Sequence, residues 1–94
     1  MGTKKQNKNF AIEIALSDGC VSMIVGELQS RNSSRMLVKK ASFIKDTGRR
    51  SEFFAGRMDA SVEIEPYPDD MELDLPAKGA VLYAWPHPLP RERR

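Results

Sequence analysis

Residues Val21 to Ile44 read VSMIVGELQSRNSSRMLVKKASFI, and this stretch decides the fold. Val21, Met23 and Val25 alternate with Ser22, Ile24 and Gly26. On the return arm Leu37, Ala41 and Phe43 alternate with Met36, Val38 and Ile44. The β-branched and apolar enrichment of both arms favours strand over helix. Arg31-Asn32-Ser33-Ser34 between them is a polar cluster of good turn residues. The stretch therefore predicts a long hairpin with both faces partly apolar. Gly26 in mid-strand predicts a bulge or a sharp bend. Strands apolar on both faces and bent at a glycine suit a small closed barrel better than an open sheet.

The flanking segments supply the other strands. In residues 9–16, NFAIEIAL, Phe10, Ile12, Ile14 and Leu16 alternate with Ala11, Glu13 and Ala15, the pattern of a half-buried strand. Ser17-Asp18-Gly19 reads as the turn that follows. After the hairpin, Asp46 or Thr47 can cap a short helix over Arg49 to Arg57, anchored by Phe53 and Phe54 and ended by Gly56. Ser61 to Glu65 and Met71 to Leu75 alternate again, and the Pro66 to Asp70 turn between them predicts a hairpin with an acidic face. Gly79 to Trp85, GAVLYAW, reads as a last, nearly all-apolar strand.

The prediction is an all-β fold, a small SH3-like or Sm-like barrel of five to six strands with one short helix. Residues 1–8 read as a disordered basic arm, 9–86 as one barrel domain, and 87–94 as an extended Pro-rich basic tail. The predicted core is Phe10, Ile12, Ile14, Leu16, Val25, Leu37, Phe43, Val62, Ile64, Leu73, Val81 and Tyr83.

Composition bounds the function. The 94 residues suffice for one domain and one modest core. Their apolar runs are too short to span a membrane, and no hydrophobic segment follows Lys4, Lys5 and Lys8 as a signal peptide would require. The single Cys20 excludes an internal disulfide framework, and with the single His87 it argues against structural zinc. A reducing, cytoplasmic location fits. Net charge is only +2, but it is unevenly placed. Residues 31–57 carry Arg31, Arg35, Lys39, Lys40, Lys45, Arg49, Arg50 and Arg57 against Asp46 and Glu52. Residues 61–74 carry Glu63, Glu65, Asp69, Asp70, Glu72 and Asp74 and no base.

No residue set forms a catalytic signature. Nothing in the sequence places His87 beside Cys20 to hold a thiolate. Asp69-Asp70 with Glu65 and Glu72 could offer oxygens to a divalent cation, but the spacing matches no known loop. Thr47-Gly48-Arg49-Arg50 has one glycine and two arginines before a helix, a weakly specific phosphate motif. No catalytic, metal or cofactor residue is assigned, and no cofactor is expected.

Three fragments carry a resemblance. Leu16-Ser17-Asp18-Gly19 resembles the acidic-Gly turn between the first two strands of the Sm-like family. Gly26-Glu27-Leu28 with Met36-Leu37-Val38 resembles its bent second strand and its third. Lys78-Gly79-Ala80-Val81 resembles the basic-Gly turn near its end. The resemblance implies a small barrel that forms rings and binds RNA near those two turns. Asp46-Thr47-Gly48-Arg49, Glu65-Pro66-Tyr67-Pro68 and Trp85-Pro86-His87-Pro88-Leu89-Pro90 also resemble a set of small bacterial and phage proteins of no assigned activity, which implies a virion as a second location.

Two functional expectations follow. The first is a non-enzymatic barrel that acts through self-assembly or protein–protein contacts, a homo-oligomer whose interface includes Glu63, Glu65, Glu72 and Asp74. Two complementary patches meeting head to tail give a ring, and such an assembly weakens as salt rises. The alternative is an RNA- or DNA-binding module using Arg31, Arg35, Lys39, Lys40, Arg49 and Arg50. No membrane partner is expected.

Overall fold

The hairpin's two-sided apolar pattern becomes two long antiparallel strands in the computed structural model, which describes residues 8–13 and 22–94. In chain order the elements are β1 (Asn9–Glu13), β2 (Met23–Arg31), β3 (Arg35–Lys45), α1 (Arg50–Phe54), β4 (Glu63–Pro66), β5 (Leu73–Pro76) and β6 (Val81–Ala84). Among the described residues the fold is thus mainly β, with six antiparallel strands in one sheet and one short helix. The expected turn at Ser17-Asp18-Gly19, the thiol of Cys20, the core positions Ile14 and Leu16 and nearly all of the N-terminal arm lie outside the described residues.

The order β4-β3-β2-β1-β6 places β1, β2 and β3 in the middle. β3 is long enough to hold two strands on its far edge. Ser42 to Lys45 pair with β4, and Arg35 to Val38 pair with β5. The expected hairpin of Ser61–Glu65 with Met71–Leu75 is therefore corrected: β4 and β5 both pair with β3. Alternation looks the same whether two strands pair with each other or dock separately on a third.

The bend expected at Gly26 is present. The β2–β3 register shifts between Val25 and Glu27 and again between Leu28 and Ser30. Lys40 opposite takes a positive φ of 52°. A side chain on Gly26 would sit 2.6 Å from Val38 Cγ1, 3.0 Å from the Ala41 Cα and 3.1 Å from the Lys39 carbonyl. Only hydrogen fits there, so β2 can press against β3 as the pair turns.

The bend creates two cores on opposite faces of the same strands. One face buries Ala11, Met23, Val25, Ile44, Val62 and Ile64 beneath Phe53 of α1 and Trp85. The other buries Ile12, Ile24, Met36, Val38, Ala41 and Ala77, flanked by Leu73 and Leu75 of β5 and Leu82 of β6. Side chains from both ends of the sheet share this second cluster, so the sheet curls around it. The curl stops short of closure: no ladder joins β5 to β6 among the described residues.

Of the predicted core, Ile12, Val25, Val62 and Ile64 are buried, whereas Phe10, Leu37, Phe43, Leu73 and Tyr83 are half-buried. Val81 is a correction: it is 47% exposed. It begins a strand that pairs with β1 alone among the described residues, opposite Glu13.

The residues after β6 complete the first core. Trp85 is 1% exposed and packs on Phe53 with centroids 5.0 Å apart. Its indole N–H donates to the Pro88 carbonyl at 3.1 Å, which satisfies the polar end of a buried ring. His87 Nε2 lies 2.8 Å from the Phe54 carbonyl, one of the acceptors that the helix end leaves unfilled. Gly56, at φ 81°, closes α1: its N–H bonds the Phe53 carbonyl while the Arg57 N–H reaches back to Glu52. Further on, the Ser42 hydroxyl donates to the Pro90 carbonyl at 2.6 Å, and Ile64 and Arg94 exchange two backbone hydrogen bonds.

Two stability predictions follow. Gly26→Ala would gain about 0.5–1 kcal/mol from the unfolded chain in an unconstrained strand, but here it forces an overpacking cost of about 1–3 kcal/mol. Net destabilisation in urea unfolding is the expected outcome. Trp85→Ala should cost about 3–5 kcal/mol, a large share of the ~5–15 kcal/mol that holds a domain folded. The same urea titration reads it.

Candidate functional site

The polar features with the most structure lie around α1. Glu13 at the end of β1 points away from Ile12, onto the face that α1 covers. The Arg50 guanidinium reaches Glu13 Oε1 at 2.7 Å and the Tyr83 hydroxyl at 3.1 Å, and that hydroxyl lies 3.2 Å from Glu13 Oε1. The same guanidinium stands 5.5 Å from the Phe54 ring centroid and 5.8 Å from that of Tyr83, within cation–π range. Phe54 and Tyr83 pack on each other at 4.7 Å. The hydrogen bond from Arg50 is the main cause that holds the Glu13 carboxyl below the ordinary glutamate range. The group locks α1 to β1 and β6.

Beside it a groove of about 480 Å³ is lined by Asp46, Thr47, Gly48, Arg49, Glu52, Arg57, Met58, Asp59, Ser61 and Val62. The weakly specific phosphate motif Thr47-Gly48-Arg49-Arg50 contributes its first three residues to one wall. Its charges are mixed. Arg57 Nε bonds Glu52 at 2.7 Å, and Asp59 Oδ1 accepts from the Ser61 amide at 2.9 Å and hydroxyl at 3.0 Å. Those bonds hold Asp59 below the ordinary aspartate range, the Ser61 amide first. Arg50 points at Glu13, so the two arginines of the motif serve different neighbours. The Thr47 hydroxyl is buried without a hydrogen-bond partner among the described residues. No group of three His, Cys, Asp or Glu there is arranged to hold a metal ion.

The six cations expected to bind nucleic acid do not form one patch. Arg31 and Arg35 flank the turn at one end of the β2–β3 hairpin, while Arg49 and Arg50 follow its other end. Arg35 opens the eleven-residue β3, and Arg49 and Arg50 come after its end. Lys39 and Lys40 lie between them at the bulge. Arg35 pairs with Asp74 at 2.6 Å and Arg50 with Glu13. Trp85 is buried and offers no face for base stacking.

The acidic set is likewise distributed. Asp74 pairs with Arg35, Glu65 with Arg93 at 2.7 Å and Asp69 with Arg91 at 2.6 Å. Glu63, Asp70 and Glu72 have no ion pair among the described residues. Half of the acids of residues 61–74 are thus paired within the chain, Asp74 with a base of the preceding basic segment and Glu65 and Asp69 with bases of the C-terminal tail. Arg91 does most in this respect. Its guanidinium donates to the carbonyls of Ala41 and Tyr67, to Ser42 Oγ at 3.2 Å and to Asp69. Sequence reading missed it, because a basic residue after a proline run carries no local sign of such a contact.

The three strands that end the sheet are not equally shielded. The outer edge of β4 bonds Arg94. β5 carries Asp74 and ends at Pro76. β6 has neither charge nor proline. The Trp85 amide bonds the Asn9 carbonyl. In the register of Phe10 with Ala84, this turns the backbone groups of Val81, Tyr83 and Trp85 toward β1. The N–H and C=O of Leu82 and Ala84 face outward. Among the described residues no hydrogen bond to these outward groups is found.

Comparisons with models of known families, with curated proteins and with solved structures find no match to this chain. No helix among the described residues is long and apolar enough to cross a membrane.

The lock at Arg50 predicts a pH signature. A carboxyl whose folded pKa is depressed adds stability above its unfolded pKa and loses it as pH falls through the folded value. Glu13→Gln should therefore lower Tm near neutral pH. The gap from wild type should shrink below about pH 4.3, the ordinary glutamate pKa. Asp59 and Asp74 titrate equally in both proteins and cancel in the difference. Thermal unfolding from pH 7 to pH 2.5 measures it.

Proposed function

We propose that this protein is a non-enzymatic small β-barrel-like module that acts through protein–protein contacts, first of all with copies of itself. The observation that carries the reading is the open end of the sheet at β6, an uncharged strand whose outward backbone groups have no hydrogen-bond partner among the described residues and whose Val81 is 47% exposed. Strand edges of this kind are templates for pairing, and proteins that do not use them blunt them with charge, proline or a covering segment. The three-strand meander with β5 and β6 on its opposite ends supports the SH3-like or Sm-like reading of the architecture. A lone cysteine fits a reducing cytoplasm, or a virion if the chain is phage-encoded.

The intramolecular pairing of Glu65, Asp69 and Asp74 weakens the case for a charge-driven ring. The scattered cations weaken the case for nucleic acid. Light scattering of the purified protein tests the reading. The expected result is a mass above that of one chain at micromolar concentration. A monomer that gains mass only on adding RNA or DNA would replace it with the nucleic-acid reading.

A further inference from the structure

We infer that two copies of this chain join through β6, antiparallel about a twofold axis at Tyr83, so that their sheets become one. The inference rests on the self-association reading and assigns its contact. The partner is argued from the strand itself. The outward groups of β6 are the N–H and C=O of Leu82 and Ala84. A twofold axis at Tyr83 sets Leu82 opposite the partner's Ala84 and Ala84 opposite the partner's Leu82. Each pair exchanges two hydrogen bonds, so one arrangement satisfies every outward group of both strands.

Twofold pairing also explains the composition. In an isologous contact any charge near the axis meets a copy of itself. A strand intended for such a contact must be free of charge, and Val-Leu-Tyr-Ala is. The other two ends of the sheet fail the same test. Asp74 of β5 would lie near its own copy, and Pro76 there has no N–H to give. The edge of β4 bears Glu63 and Glu65 and already bonds Arg94. Exposed Val81 adds apolar area beside the axis.

Two variants test this without touching the β1 ladder. Ala84→Pro removes an outward donor at an exposed position while the inward groups of Val81, Tyr83 and Trp85 stay intact. Val81→Lys places a charge beside the axis. Sedimentation velocity from about 1 to about 100 µM brackets a micromolar Kd, and far-UV circular dichroism confirms the fold. Wild type is expected to dimerise, with little change between low and high salt. Ala84→Pro removes two of the four intermolecular bonds, so it should raise the dimer Kd by about tenfold or more. Val81→Lys should act in the same direction, and it alone decides if Ala84→Pro misfolds. A wild type that associates while the folded variants associate equally well overturns this contact and leaves the self-association reading standing. So does an oligomer that disperses as salt rises, which would return the contact to the charged surfaces. A wild type that stays monomeric at every concentration overturns both.

Discussion

The close approach of β2 to β3 at Gly26 is the constraint on which the rest of the architecture depends. A β-carbon there would overlap the Val38 side chain and press on the backbone at Ala41 and Lys39. With hydrogen in its place, the pair shifts register, Lys40 turns to a left-handed φ, and the hairpin bends. The bend lets the ends of one sheet share a cluster around Met36 and Val38. It also leaves the opposite face of the same strands for α1 and Trp85 to cover. A flat hairpin with the same side chains would leave one of its two apolar faces in water, at a cost of about 25 cal/mol for each Å² exposed.

Much of this was legible because it is local. Gly26 inside an apolar run signals a bend, and Gly56 marks the end of α1, but the expected cap is corrected: the helix starts after Arg49 with no side-chain cap, Asp46 and Thr47 lying too far ahead of it, and it is shorter than Arg49 to Arg57. What depends on partners was not legible. Glu63-Ile64-Glu65 and Leu73-Asp74-Leu75 alternate correctly, yet nothing in them reveals that both strands dock on β3. The apolar Val81 looks like core until its strand is known to be terminal. The charge segregation looked like an intermolecular code. In space Arg35 lies across from Asp74, and Arg91 and Arg93 come from the far end of the chain to meet Asp69 and Glu65.

The same logic separates the two candidate surfaces. The groove beside Thr47 contains part of a motif, but its charges are mixed: Arg57 holds Glu52, Asp59 bonds Ser61, and the motif's Arg50 pairs with Glu13 outside it. The edge at β6 has no motif at all. It is defined by what a neighbour would find there: outward amides, short uncharged side chains and an exposed valine. Sequence scanning favours residue types with strong chemistry, and a backbone edge has none to show.

The placement of β1 has a consequence for how the chain folds. Its partner β6 comes from the other end of the described chain; the bond between Glu13 and Tyr83 spans 70 residues. The β2–β3 hairpin closes through a short turn and can form early, whereas the β1–β6 ladder must wait for the intervening chain to be ordered. Until β6 arrives, β1 is itself the bare margin of the sheet, with Ala11 and Ile12 on its two faces. The β1–β6 ladder thus carries the larger loop-closure cost, and the sheet trades one bare margin, β1, for another, β6, only when it forms.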